Sequence, residues 1–161
     1  MSEKLTIGIS DWKICRSPDV LVTYALGSCV GICLYDKVTR IAGLSHIMLP
    51  DSKSIVCDTN LNRMKFADTA IVDMYQKMVA SGASPSRLTA KIAGGALMFA
   101  TTNDKFNIGE RNVTAVKQAL SQLRIPIVAQ DTGSNYGRTV FFYSEDGKVE
   151  IKSTNKGVNV L

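Results

Sequence analysis

An α+β domain is the fold class this sequence predicts, and three observations carry it. Strand-like segments fill the first third of the chain, two helical segments interrupt, and strand-like segments finish it. Strands and helices do not alternate regularly, and neither an internal repeat nor a linker is present. At 161 residues the chain is long enough for one sizeable core. A single domain over residues 1–161 is therefore expected, with mixed or antiparallel β-sheets and helices packed outside.

The elements follow in order. "KLTIGISDWKI" and "DVLVTYAL" are rich in β-branched and apolar residues, and the turn-like "CRSPD" separates them. "CVGICLYD" alternates, with Val30, Ile32 and Leu34 on one face and Cys29, Gly31, Cys33 and Tyr35 on the other. "IAGLSHIML" reads as its partner strand, and Pro50 stops it because proline cannot donate to a ladder. "DSKSIVCDTN" is polar and reads as a loop or an irregular edge. "LNRMKFADTAIVDMYQKMVASG" is the clearest helix. Its Met64, Ala67, Ile71, Met74, Met78 and Val79 recur at helical spacing and read as a core-facing stripe, with Gly82 as the C′ residue. "LTAKIAGGALMF" is a short strand that breaks at Gly94-Gly95, read as close backbone packing. "ERNVTAVKQALSQL" is a second helix with Val113, Val116, Leu120 and Leu123 inward. "IPIVAQDTG", "RTVFFYS" and "KVEIKST" read as strands, "GSNYG" as a loop and "EDG" as a tight turn. The tail "NKGVNVL" carries no clear pattern.

Composition excludes several function classes. Hydrophobic residues are 45% and charged residues 20%, ordinary for a soluble globular protein. No apolar run approaches the roughly 18 residues of a membrane span. The N-terminus lacks a signal-peptide core, so a cytoplasmic location is expected, where Cys15, Cys29, Cys33 and Cys57 stay as thiols. The net charge of +5 suits an acidic partner, but the basic residues are scattered. With no helix-turn-helix, zinc-finger or aromatic RNA-binding motif, nucleic acid is not an expected partner.

The chemistry concentrates on Cys29 and on His46, the single histidine. If their segments form a hairpin with an even-length loop, thiol and imidazole share a face. Asp36 opposite Thr39 sets Cys29 directly across from His46, and Asp36 opposite Ile41 sets them on a diagonal. An odd-length loop separates them. Spacing thus permits a Cys–His pair without proving it, and a buried inert thiol and a surface or core-filling histidine remain the more ordinary readings. A metal site of Cys29, Cys33, His46 and Cys57 conflicts with the strand. Four residues of strand span about 13 Å at roughly 3.3 Å per residue, too far for ligands about 2.3 Å from one zinc. No metal or organic cofactor is expected, and "KIAGGALMF" is not a P-loop. Gly27, in "ALGSC", is read as the residue that lets the chain turn sharply before the thiol.

Five segments taken together, "LGSCVGICLYD", "GLSHIMLP", "KIAGGALMF", "NIGERNV" and "DTGSNYGRTVFF", resemble the chemoreceptor glutamine deamidase family, CheD. They run in order from Leu26 to Phe142. The resemblance implies hydrolysis of selected glutamine side-chain amides on bacterial chemoreceptors to glutamate and ammonia, and of glutamyl methyl esters as well. It places the nucleophile on Cys29, the histidine on His46 and a third active-site residue on Thr23. It also implies an α+β cysteine hydrolase fold related to deamidating toxins. The implied partners are chemoreceptor cytoplasmic helices and the chemotaxis phosphatase CheC, which can occupy the site as a substrate mimic. One departure is visible: the family often shows paired glycines where this chain has Gly133-Ser134. The alternative to an enzyme is a chemotaxis binding protein, a non-catalytic regulator of CheC. A third reading is a cysteine protease or transglutaminase with another acceptor.

Overall fold

Strand β4 (Val30–Asp36) and strand β5 (Ile41–Ile47) are buried on both faces, and this sets the layering of the molecule. Val30, Ile32 and Leu34 pack with Ile41 and Ile47 under the helices. Cys33, Ala42 and Leu44 pack on the opposite face, against a second sheet. The computed structural model describes residues 2–54, 61–98, 107–153 and 156–161. The remaining strands are β1 (Lys4–Thr6), β2 (Asp11–Arg16), β3 (Val20–Leu26), β6 (Thr89–Gly94), β7 (Ile127–Thr132), β8 (Arg138–Tyr143), β9 (Val149–Ser153) and β10 (Gly157–Val160). The helices are α1 (Ala67–Ala80) and α2 (Ile108–Gln122).

Two five-stranded sheets result, in the orders β1-β3-β8-β9-β10 and β2-β5-β4-β6-β7. Both are mixed. The β1–β3 and β6–β7 pairs are parallel and the others antiparallel. The β6–β7 pair needs a crossover, which α2 supplies. The helices cover one face of the second sheet, giving helix, sheet and sheet layers with an apolar core at each junction. The α+β class with mixed sheets and outer helices is therefore observed.

The methionine stripe works as expected, with Ala67, Ile71, Met74 and Met78 buried. Gly43 makes room for it: a Cβ there would lie 2.9 Å from the Met78 sulfur and 3.0 Å from that of Met74. The helix starts later than its periodicity indicates. Asn62 caps a 3₁₀ turn at Arg63–Lys65, and Phe66 is extended and buried. Tertiary bonds override propensity here. The amides of Met48 and Leu49 donate to the Lys65 carbonyl at 2.8 and 3.1 Å, and the Ala67 amide donates to Leu49. That tie fixes the chain leaving β5, two residues after His46.

Two other expectations need correction. "KLTIGISDWKI" is not one strand: it breaks at Ser10, whose φ of 60° is left-handed, and its halves β1 and β2 join different sheets. The uninformative tail forms β10, an edge strand paired with β9. Its exposed residues add little core, so no apolar pattern marked it.

Candidate active site

Thr23 on β3 and His46 on β5 come from different sheets, and both are completely buried between them. Thr23 Oγ1 lies 2.7 Å from His46 Nδ1 and donates to the Ile7 carbonyl at 2.8 Å. A hydroxyl has one proton. With that proton on Ile7, the oxygen accepts from Nδ1–H. The bond therefore assigns the tautomer: Nδ1 carries the proton and Nε2 carries the lone pair. Nε2 is buried with no hydrogen-bond partner among the described residues. Burial also pulls the imidazole pKa down to about 4, so the ring is neutral at pH 7. The unprotonated Nε2 is available to accept a proton, although burial makes it a weaker base than a solvated imidazole.

Cys29 is half-buried at the mouth of β4, on the face that looks toward the β1-β3-β8-β9-β10 sheet. The β4–β5 register pairs Asp36 with Ile41 and Gly31 with His46. Cys29, two residues before Gly31, thus falls on the diagonal from His46, one of the two arrangements the hairpin spacing allowed. Burial raises the thiol pKa, and the cysteine's own backbone N–H partly offsets that. Thiol and imidazole are therefore both neutral at rest. The thiolate–imidazolium pair is not the state burial favours, and proton transfer belongs to the encounter with an electrophile.

The loop before Cys29 is built differently from its sequence reading. The left-handed residue is Ala25, φ 58°, at a bulge in the β3–β8 pairing between Thr23 and Leu26. Gly27 instead provides space: a Cβ there would meet the Met98 side chain at 3.1 Å. The Gly95 amide donates to the Cys29 carbonyl at 2.8 Å, and the Ala96 amide to Gly27 at 2.9 Å. Gly94, at φ 110°, approaches so closely that its Cβ would lie 2.3 Å from the Cys29 oxygen. These bonds turn the Gly27 and Cys29 carbonyls away. The amides of Ser28 and Cys29 are left without a backbone partner among the described residues, so they are available to donate to an oxyanion.

A second loop closes the wall. The Gly133 amide donates to Gly94 at 2.9 Å, and the Leu97 amide donates to Ser134 at 2.8 Å. Buried Arg138 ties this loop down, donating to the Gly133 carbonyl at 2.9 Å and pairing with Asp131 at 3.1 Å. Tyr136 lies against the Arg138 guanidinium, 4.5 Å from ring centre to carbon. Ser134 has φ 60°, so it holds the left-handed conformation that a second glycine adopts without strain. Met48, Leu97 and Met98 are exposed apolar side chains on the segments around Cys29. Exposed apolar side chains of this kind are suited to docking another surface.

Sequence reasoning missed Asn112, one helical turn after Gly109 on α2. Its side-chain nitrogen donates to the carbonyls of Ser28 and Met48. The "NIGERNV" segment held the available signal, a glycine and a carboxamide three residues apart on one helix face. Cys15 and Cys33 are buried with raised thiol pKa values, about 11 for Cys15. Cys57, one of the four thiols named from the sequence, and Phe99, the last residue of "KIAGGALMF", lie outside the described residues. Among the described residues, no three His, Cys, Asp or Glu side chains gather as a metal site.

Comparison with known proteins gives a consistent set of relatives. The family model described as "CheD chemotactic sensory transduction" matches residues 48–153. A protein of Caldanaerobacter subterraneus subsp. tengcongensis, named a probable chemoreceptor glutamine deamidase CheD, is 52% identical over 99% of each chain. Proteins of the same name from Lachnoclostridium phytofermentans and Moorella thermoacetica are 50% and 48% identical. They cover 97% and 99% of this chain and 97% and 96% of their own. The family match begins after Thr23, Cys29 and His46, but the alignments to whole relatives span nearly the full chain.

Proposed function

This chain belongs to the CheD family, and from that premise we propose that it is a protein-glutamine glutaminase acting on bacterial chemoreceptors. It hydrolyses selected glutamine side-chain amides to glutamate and ammonia, and glutamyl methyl esters by the same route. The observation that carries the chemistry is the fixed His46 tautomer, with a bare Nε2 on the face that Cys29 shares. The same reading relates the fold to the deamidating-toxin type of cysteine hydrolase.

His46 Nε2 takes the Cys29 proton as sulfur attacks the amide carbon, forming the C–S bond. The amides of Ser28 and Cys29 hold the oxyanion. The imidazolium then gives its proton to the nitrogen, and ammonia leaves as the C–N bond breaks, because an amide anion is a prohibitive leaving group. Water, deprotonated by His46, attacks the thioester and releases glutamate and the thiol. Thr23 holds the ring through Nδ1–H throughout. It lacks the charge of an aspartate, so it orients imidazolium more than it stabilises it.

The substrate would be a glutamine on a cytoplasmic receptor helix, docking on the Met48, Leu97 and Met98 rim. No described helix is long and apolar enough to cross a membrane, and the reading places the chain in the cytoplasm beside those receptors. The phosphatase CheC would compete at the same face, and the net charge of +5 would favour an acidic helix on either partner. The test is incubation with a receptor cytoplasmic fragment. Ammonia release with a gain of about one dalton per site, the amide-to-acid change, supports the proposal. Binding without either product favours a non-catalytic CheC regulator. Ammonia without that mass gain favours crosslinking, and backbone cleavage favours a protease.

A further inference from the structure

We propose that Asn112 is a positioning residue that sets the approach of the Cys29 thiol to the His46 imidazole. This rests on the reading of Cys29 and His46 as nucleophile and base. Asn112 is fully buried on α2. Its Nδ2 donates to the Ser28 carbonyl at 2.9 Å and to the Met48 carbonyl at 3.0 Å. Ser28 directly precedes Cys29, and Met48 follows His46 by two residues. One amide group thus joins the two segments that carry the reacting side chains.

The chemistry of the site selects a carboxamide. Two carbonyl oxygens converge on one point, so the donor needs two protons. A hydroxyl has one. A carboxylate has none and would repel both oxygens. The same convergence fixes the amide orientation, because the reversed one sets Oδ1 against two acceptors. Oδ1 is consequently buried with no partner among the described residues. The helix is seated with matching tightness. A Cβ on Gly109 would lie 2.4 Å from the Ala96 oxygen and 2.6 Å from that of Gly95. Gly109 therefore lets α2 approach the loop that grips Cys29, and Asn112 reaches it one turn later.

Cys29 and His46 are not bonded to each other at rest, so their alignment depends on the backbone that holds them. A misplacement of about 1 Å costs on the order of 100-fold in rate. Asn112→Ala should lower kcat about 100-fold with KM unchanged, because Asn112 does not face substrate. Asn112→Ser, keeping one donor, should fold and lose about tenfold, between the two. A substrate-free readout separates positioning from mere stability: the pH profile of Cys29 alkylation by iodoacetamide. Base assistance by His46 should give wild type a flat shoulder between about pH 5 and 8. Folded Asn112 variants should lose the shoulder in proportion to the missing donors, and their rate should climb with pH as for a lone thiol. The proposal is overturned if folded Asn112→Ala or Asn112→Ser keeps both the shoulder and wild-type kcat. A wild type without the shoulder overturns instead the Cys–His reading on which it rests.

Discussion

Replacing Thr23 with valine keeps the shape of the side chain and removes its hydroxyl, which tests how the histidine is held. Two buried groups lose their partner at once: Nδ1–H of His46 and the carbonyl of Ile7. Each orphaned polar group costs about 1–3 kcal/mol, so the variant should be less stable by roughly 2–6 kcal/mol. Thr23→Ser keeps the hydroxyl and deletes one methyl, a loss of about 1 kcal/mol. The rate should change for a separate reason. Without the Thr23 acceptor, nothing fixes the proton on Nδ1, and the Nε2–H tautomer, useless as a base, becomes accessible. A bond worth about 1.4 kcal/mol to the tautomer balance is a factor of about ten in competent protein. Urea unfolding followed by fluorescence measures the first effect, and receptor-fragment deamidation by intact mass, below the unfolding transition, measures the second. A Thr23→Val protein within 0.5 kcal/mol of wild type, taken as roughly the level of a surface change, would refute the buried network. Full deamidation rate would refute the tautomer argument.

Other outcomes follow from the same contacts. Acid should destabilise the fold in two stages, read by melting temperature against pH. The folded His46 pKa of about 4 lies below its unfolded value near 6.5, so up to about 3 kcal/mol present above pH 6.5 is lost as pH falls to 4. Asp36, held below the usual carboxylate range by Arg87 and by the amides of Ser84, Val38 and Thr39, adds stability above about pH 4 that is lost on further acidification. His46→Gln should flatten only the first stage, and it should lower deamidation by several orders of magnitude because base and acid go together. Gly109→Ala sets a Cβ against two backbone oxygens, so it should reduce both melting temperature and rate, whereas Ser134→Gly should leave rate intact and match or exceed wild-type stability by about 1 kcal/mol. Alkylation mapped by peptide mass should mark Cys29 in the folded protein and leave buried Cys15 and Cys33 untouched.

The layers of this molecule were legible where pattern and burial agree. The alternation through Val30, Ile32 and Leu34 identified both faces of β4, and the methionine spacing identified the buried face of α1. Hairpin arithmetic left the Cys29–His46 relation open between two same-face registers and an odd-length loop that separates them, and only the loop conformation between Asp36 and Ile41 could choose one. What stayed hidden depends on contacts distant in sequence. The split at Ser10 sends β1 and β2 to different sheets, a decision of pairing partners that local propensity does not encode. The left-handed turn fell on Ala25 and left Gly27 to provide space, because a bulge in the pairing with β8 sets the loop. The resemblance alone assigned Thr23. Its reason is visible only across the sheet interface, where its single proton goes to Ile7. Asn112 had no periodic signature, since it serves two carbonyls that come from 84 and 64 residues away.

The most direct test of the central claim compares wild type with folded Cys29→Ala on one receptor cytoplasmic fragment, by intact mass and ammonia release. Wild type should add about one dalton at each selected glutamine with one ammonia released per site. Cys29→Ala should add nothing while keeping the wild-type melting profile. Turnover by folded Cys29→Ala at the wild-type rate would contradict the assignment of Cys29 as the nucleophile.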